Sequence, residues 1–358
     1  MKADAAIMTA RDISTQTMTQ ADHAAWDKFV RRSPDGLHLH LSGWAAVMHD
    51  TYGYPTYYLL ARAGGEVCGV LPLFLVPSLI TGKRLMTMPG GLCAANERVA
   101  QALLANAASL AATTGAGRVV IQDSRDTWDA DWQTTSEHVS WLLPLPAGEE
   151  TLWEQLDGNI RRQVRKARKN GLEAEIDRSG EGLKPFYEMF CRFTHDAGTP
   201  VFGYQFLENV IRVFPGQYSI ALIRHEDEVI AGYFQLEMGS RMAGMWGAAL
   251  PETLKLRPAY LALWEIMRDA IECGFTYLDM GRSPAGSNAS KFKGQWGGEA
   301  SPVYQLSWRE NGPGGEESIT NQVQSDRKFQ LFMQLWPRLP LSITNRVGPI
   351  LRRHIPFA

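Results

Sequence analysis

Two short stretches concentrate the residues of this chain that could do chemistry. Tyr277-Leu-Asp-Met-Gly-Arg-Ser-Pro284 sets an acid, a guanidinium and a hydroxyl around one glycine. Lys291-Phe-Lys-Gly-Gln-Trp-Gly-Gly298 then brings two lysines around a phenylalanine, and a tryptophan between glycines. The pattern predicts a strand running into a glycine turn, a polar loop and a second turn, a binding edge rather than a core. A fixed cation aimed at a carbonyl stabilises the oxyanion that forms when an ester is attacked, typically by a few kcal/mol per donor. Lys293 could be that cation; spacing alone favours a surface lysine beside a core phenylalanine. Asp279, three residues before Arg282, can form a local ion pair that orients the turn. Alternatively, the planar fork of Arg282 holds a phosphate or carboxylate, with Ser283 beside it. Nothing in the spacing makes Asp279 a general base.

The pair of motifs resembles the Fem family of peptidyl and aminoacyl transferases, whose members carry an Asp-aromatic-Gly-Arg-Ser turn and then Phe-Lys-x-x-aromatic-Gly. The resemblance implies that Phe292 and Lys293 stabilise the oxyanion. Of the turn residues, Asp279 is read as structural support and Arg282 and Ser283 as pocket-facing; with Trp296 they make up the candidate substrate-binding set. Thr194 to Tyr204, with its Gly-Thr-Pro, resembles the loop that lies near the acceptor in such sequences, which makes Tyr204 a candidate rim residue. His195 and Asp196 are adjacent, whereas catalytic dyads are built from groups that converge in space, so the pair is not read as one.

The elements that must position these residues form a repeat. Tyr58 to Leu73 and Ala221 to Leu236 each read as strand, arginine, turn, Glu-Val, then a second strand with an early glycine. A long helix follows each, at Glu97 to Thr114 and Pro258 to Cys273, and then a strand, at Arg118 to Gln122 and Phe275 to Met280. Pro258 suits a first helical turn and Gly274 the position just past the end. This order resembles the acetyltransferase-like (GNAT) fold, present twice. The expected organisation is a disordered N-terminus (1–18), two tandem α/β GNAT-like domains with mixed sheets (19–146 and 147–311), and a C-terminal helical tail (312–358). The tail resembles that of Fem-like proteins of exopolysaccharide and exosortase systems.

Asn159 to Gly171 carries six cations, and on a helix Arg161, Arg165 and Arg168 lie on adjacent turns over a thin stripe of Ile160, Val164 and Ala167. A tRNA acceptor stem, a diphosphate or an acidic lipid surface would suit it, and so would plain solvation. The basic end of the tail, Arg346 to His354, offers a peripheral membrane contact.

With 358 residues, a formal charge of -2 and a pI near 6.5, the chain is not built to coat nucleic acid. Its four scattered cysteines form neither a zinc pattern nor a disulfide framework, so no metal is expected. Met1 to Gln20 does not read as a secretory signal, and the apolar run Val67 to Ile80 is short and broken by Pro72 and Pro77. These features together lead to the expectation of a cytoplasmic protein. GNAT enzymes that use CoA cradle its pyrophosphate on a glycine-containing loop before the long helix. Here that place reads Thr253-Leu-Lys-Leu-Arg-Pro-Ala259, without glycine. No bound cofactor is therefore expected, and aminoacyl-tRNA fits better than acyl-CoA as donor. The function expected is transfer of an aminoacyl group to an amine of a cell-envelope or peptide acceptor. An acyl-CoA-dependent transferase of an exopolysaccharide or lipid pathway, and a non-catalytic module that binds a glycan or lipid intermediate, are the alternatives.

Overall fold

The computed structural model describes residues 13–77, 82–310, 312 and 327–354. The chain divides into two compact units, Met1–Ser136 with Val303–Ile319 and Arg353–Ala358, and Glu137–Pro302 with Thr320–Arg352.

The first unit begins with a strand, β1 (Ile13–Thr17), where disorder is expected; it pairs antiparallel with β2 (Thr56–Ala63), Ile13 opposite Ala63. Such pairing satisfies backbone groups that a short polar segment could otherwise only give to water. Residues 1–12 lie outside the described part. Between β1 and β2 come α1 (His23–Arg32) and α2 (Trp44–Tyr52). The hairpin closes with β3 (Glu66–Val76), Ala63 opposite Glu66, and β4 (Arg84–Met86) and β5 (Cys93–Ala94) both pair with β3. The long helix α3 (Glu97–Thr114) is capped by the Asn96 side chain, which accepts from the Val99 N–H, and ends at Gly115 with φ +66°. Its Val99, Leu103, Leu104 and Ala107 bury against Leu71 and Leu73 of the hairpin. β6 (Arg118–Ser124) returns parallel to β4, and the last strand of the chain (Glu299–Arg309) pairs with it from Tyr304 to Arg309.

The second unit repeats the plan. Its sheet runs β7 (Gln133–Pro144), β12 (Tyr277–Pro284), β11 (Arg241–Ala249), β10 (Glu228–Met238), β9 (Tyr218–His225) and β8 (Leu172–Asp177). The hairpin is β9–β10, His225 opposite Glu228. The helices are α4 (Glu149–Gln155), α5 (Gly158–Lys169), α6 (Leu183–Asp196), α7 (Tyr204–Val213), α8 (Pro258–Glu272) and α9 (Asn288–Gly294). The tail adds α10 (Arg327–Leu335) and α11 (Leu341–Arg352). α8 carries the chain from β11 across to β12, the crossover that a parallel pair requires. One face of the sheet is covered by α5 and α8, with Ile160, Val164, Leu261 and Met267 packed on Ala221, Ile223 and Met242. The other is covered by α6 and α7 through an aromatic layer, Phe186, Phe202, Phe206, Phe234 and Trp246.

The expected boundary at 146/147 lies instead at Ser136/Glu137, and Val303 onward returns to the first unit rather than closing the second. The reason is strand pairing. From His138 to Pro144, β7 pairs with β12 and so belongs to the second unit, although Pro144 and Pro146 mark a break in the sequence.

Candidate active site

β11 and β12 pair over three residues only, Arg241 to Ala243 against Tyr277 to Asp279. Past that point β12 pairs with β7 alone, and among the described residues no strand pairs with β11 on its β12 side. The two strands therefore part beyond the close approach of Gly281 to the Gly244 carbonyl, and a notch opens between Met245–Gly247 and Arg282–Ser283.

Two bulges produce the parting. On β11, Phe234 of β10 faces Trp246 while Gln235 faces Gly244, so Met245 is an extra residue without a ladder partner. On β12, Asp279 faces Leu142 and Arg282 faces Ser140, so one residue more is used on β12 than on β7. A bulge bends its strand and turns backbone groups out of the ladder. At the second bulge Gly281 has φ +71°, and a Cβ there would lie 3.0 Å from the Gly244 carbonyl oxygen. Only glycine combines that conformation with that approach. Asp279 is buried, and its carboxylate accepts from the Gly281 N–H at 2.9 Å and the Ser140 hydroxyl at 3.5 Å, which holds the bulge.

The expected glycine turn is thus a bulged continuation of β12, and the expected second turn is a helix. α9 is capped by Ser287, whose hydroxyl accepts from the Ser290 N–H. The helix is fixed from two sides. The Trp141 indole donates to the Ser290 hydroxyl at 3.2 Å and covers Gly294, where a Cβ would meet the ring at 2.8 Å. On the other side the Phe292 ring packs edge-on against Tyr260 of α8 at 5.1 Å.

This places Lys293 at the notch. Its ammonium donates to the carbonyls of Gly281 at 3.0 Å and Arg282 at 2.9 Å. An ammonium has three N–H groups, so one is left over for a ligand. Burial pushes the Lys293 pKa down to about 8; the Asp279 carboxylate opposes that shift and the Arg282 guanidinium adds to it.

The remaining candidates divide. Arg282 is half-buried beside the notch, while Ser283 is 3% exposed and packed within the sheet. Trp296 is a core residue rather than a pocket wall: it is 3% exposed and 6.1 Å from both Tyr260 and Phe292. Aromatic spacing alone could not distinguish these places. Phe292 likewise positions α9 through its ring. Tyr204 starts α7 and packs on Tyr187 of α6 at 5.2 Å, whereas Trp264 and Trp296 belong to the core on the α5 and α8 side. In α5, Ile160, Val164 and Ala167 are buried as their spacing suggests. Arg165 lies over the Trp153 ring at 5.4 Å, Arg168 pairs with Glu265 at 2.8 Å, and Arg161 is half-buried. His195 bonds Asp196 and the Leu339 carbonyl, each at 2.9 Å, which ties α6 to the tail. The sequence reading missed Met245, Trp141 and Ser290. The glycines at 244 and 247, inside a strand, were the available signal for a bulge.

The sequence profile of the acetyltransferase (GNAT) domain matches residues 156–294, from the start of α5 to the end of α9. That stretch therefore matches a GNAT domain. Solved structures show the tandem arrangement of the fold over most of its length. FemX superposes with a TM-score of 0.64 at 18% identity, covering 83% of this chain and 98% of FemX. The C-terminal domain of an Agrobacterium fabrum protein described as a lysylphosphatidylglycerol synthetase gives 0.56 at 13% identity, covering 81% and 92%. A tandem GNAT protein from the clavulanic acid biosynthesis pathway gives 0.52 at 11% identity, covering 85% and 100%. Among curated proteins none matches the sequence. In this tandem GNAT-like architecture the notch lies in the second unit, inside the matched domain. Among the described residues no helix is long and apolar enough to cross a membrane, and no cluster of side chains would hold a metal ion.

Proposed function

We propose that the protein is a Fem-like acyltransferase that moves an aminoacyl group from the ester of an aminoacyl-tRNA to an amine of a cell-envelope or peptide acceptor. The observation that carries this reading is the Lys293 ammonium, held by two carbonyls at the mouth of a notch lined by bulged backbone. The amine nitrogen attacks the ester carbon, and the C=O electrons move onto oxygen. Lys293 and the freed backbone N–H groups of β11 stabilise that oxyanion. Collapse breaks the C–O bond to the tRNA ribose, whose oxygen leaves with the proton shed by the amine. An amide and a free tRNA hydroxyl result. Phe292 holds α9 in place, Asp279 holds the bulge, and Arg282 takes a negative group of the substrate.

The entry to α8 supports a donor other than CoA. A 3₁₀ turn, Pro251–Leu256, leads into Arg257 at φ +73° and Pro258 as first helical residue. A proline there removes one of the N–H groups that a pyrophosphate would need. The α5 cations offer a phosphate-binding surface on the same unit.

The test is an acyl-transfer assay with two donor pools, charged total tRNA and a panel of acyl-CoAs, each offered with cell-envelope precursors. Lys293-dependent transfer from tRNA is expected. Transfer from CoA alone would replace this reading with an acyl-CoA-dependent one, and no transfer from either would leave a binding module.

A further inference from the structure

We propose that the two C-terminal helices form an amphipathic foot that rests on an anionic lipid surface. Most of the large apolar side chains that the described residues leave exposed belong to this one stretch. They are Leu331, Leu335, Leu339, Ile343, Val347 and Ile350, and Ile350 is the most exposed at 65%. Leu331 and Leu335 share one face of α10; Ile343, Val347 and Ile350 share one face of α11 at helical spacing. An apolar stripe this long on a water-facing helix marks a contact surface.

The opposite side of the same helices is already used. Trp336 and Thr344 are each 2% exposed. Gly348 comes so close to Val201 that a Cβ would lie 3.2 Å from its backbone, and His195 holds the Leu339 carbonyl. The helices are thus pinned to α6 and the loop after it, and the stripe points away from the core that holds them.

Charge selects the occupant. From Arg327 to Ala358 the chain has six Lys and Arg and no Asp or Glu, although its overall formal charge is -2. Arg338 and Arg346 are exposed beside the stripe. A second copy of this face would bring like charges together, which disfavours self-association. A nucleic acid would match the arginines and leave the apolar stripe in water. An anionic bilayer matches both: headgroups take the arginines while Ile343, Val347 and Ile350 enter the acyl boundary. Among the described residues no helix is suited to cross, and in this proposal the foot lies on the surface. The inference does not depend on the acyl-transfer reading.

Vesicle flotation of the full chain tests it, with phosphatidylcholine vesicles and with vesicles that also contain phosphatidylglycerol. The wild type is expected to float with the anionic vesicles and to be released by salt. Ile343→Glu and Ile350→Glu, at exposed positions, should each lower partitioning by about tenfold or more. Arg338→Gln with Arg346→Gln should lower it on anionic vesicles by roughly twenty-five-fold, at about fivefold per charge. The near-UV difference between each variant and its Trp336→Phe counterpart reports that the helices stay docked. No flotation of the wild type, or equal flotation of the glutamate variants, would overturn the proposal. So would a dimer broken by Ile350→Glu in a protein that binds no vesicle, which would assign the stripe to self-association.

Discussion

Replacing Lys293 by methionine separates its chemical from its structural role. The side chain keeps its length and loses its charge. Two opposing effects on stability follow from the structure. The ammonium titrates at about 8 rather than the usual ~10.4, which corresponds to about 3 kcal/mol against the charged form in the fold. Methionine removes that penalty. It also strips the Gly281 and Arg282 carbonyls of their donor, at about 1–3 kcal/mol each. The two largely offset, so the variant should unfold within about 3 kcal/mol of the wild type at pH 7. Its pH dependence should change in a definite direction. The unfolded lysine binds its proton up to about 10.4 and the folded one only to about 8, so wild-type stability rises with pH between those values. Lys293→Met should lose that rise. Activity should behave differently: loss of one oxyanion donor lowers kcat by about 10²–10³-fold. In the wild type, kcat/KM should decline as pH climbs through about 8 and the ammonium is lost. Denaturant melts across pH and steady-state transfer assays on both proteins supply the data. A stable Lys293→Met protein with near wild-type turnover would refute the role given to this residue.

Three further outcomes are expected. Gly281→Ala forces a Cβ onto the Gly244 carbonyl at φ +71° and should cost about 1–2 kcal/mol in denaturant melts while lowering turnover by distorting the notch. Asp177 is pulled up by burial, but bonds from Ser179, Gly182 and Gly180 outweigh this and hold its carboxylate below the usual range. Its contribution is present at neutral pH and lost as pH falls through its folded pKa, so Asp177→Asn should show a flatter acid limb in thermal melts. Burial pulls His195 down, yet the Leu339 carbonyl and the Asp196 carboxylate outweigh it and hold its pKa above the usual value. Both partners are acceptors, so the protonated ring serves both. Docking of the tail on α6 should be strongest at mildly acid pH and weaken as pH rises through that value, read as the fluorescence difference from a Trp336→Phe protein, and His195→Gln should abolish the dependence.

Much of the architecture was legible because local signals agreed with one another. Asn96 and Gly115 bracket α3, and Pro258 and Gly274 bracket α8, as caps should. The two hairpins could be read because strand period and turn residues repeat at Glu66 and Glu228. What escaped was irregular or long-range. A bulge breaks the period of two, so Gly281-Arg-Ser looked like the end of a strand although β12 runs through it. Trp296 and Phe292 have the composition of a pocket wall, and spacing alone does not reveal their packing on Tyr260. The unit boundary was misplaced because β7 pairs with β12, more than a hundred residues away, and no local residue encodes that choice. Lys293 itself could be picked out by its motif, whereas its two carbonyl partners could not.

The most direct test of the central claim is the structure of the protein bound to a non-hydrolysable, amide-linked aminoacyl-nucleoside. The account predicts the acyl carbonyl oxygen in the notch between Met245 and Gly281, at about 3 Å from the Lys293 ammonium. An ordered acyl group elsewhere, with Lys293 still bonded only to the Gly281 and Arg282 carbonyls, would contradict it.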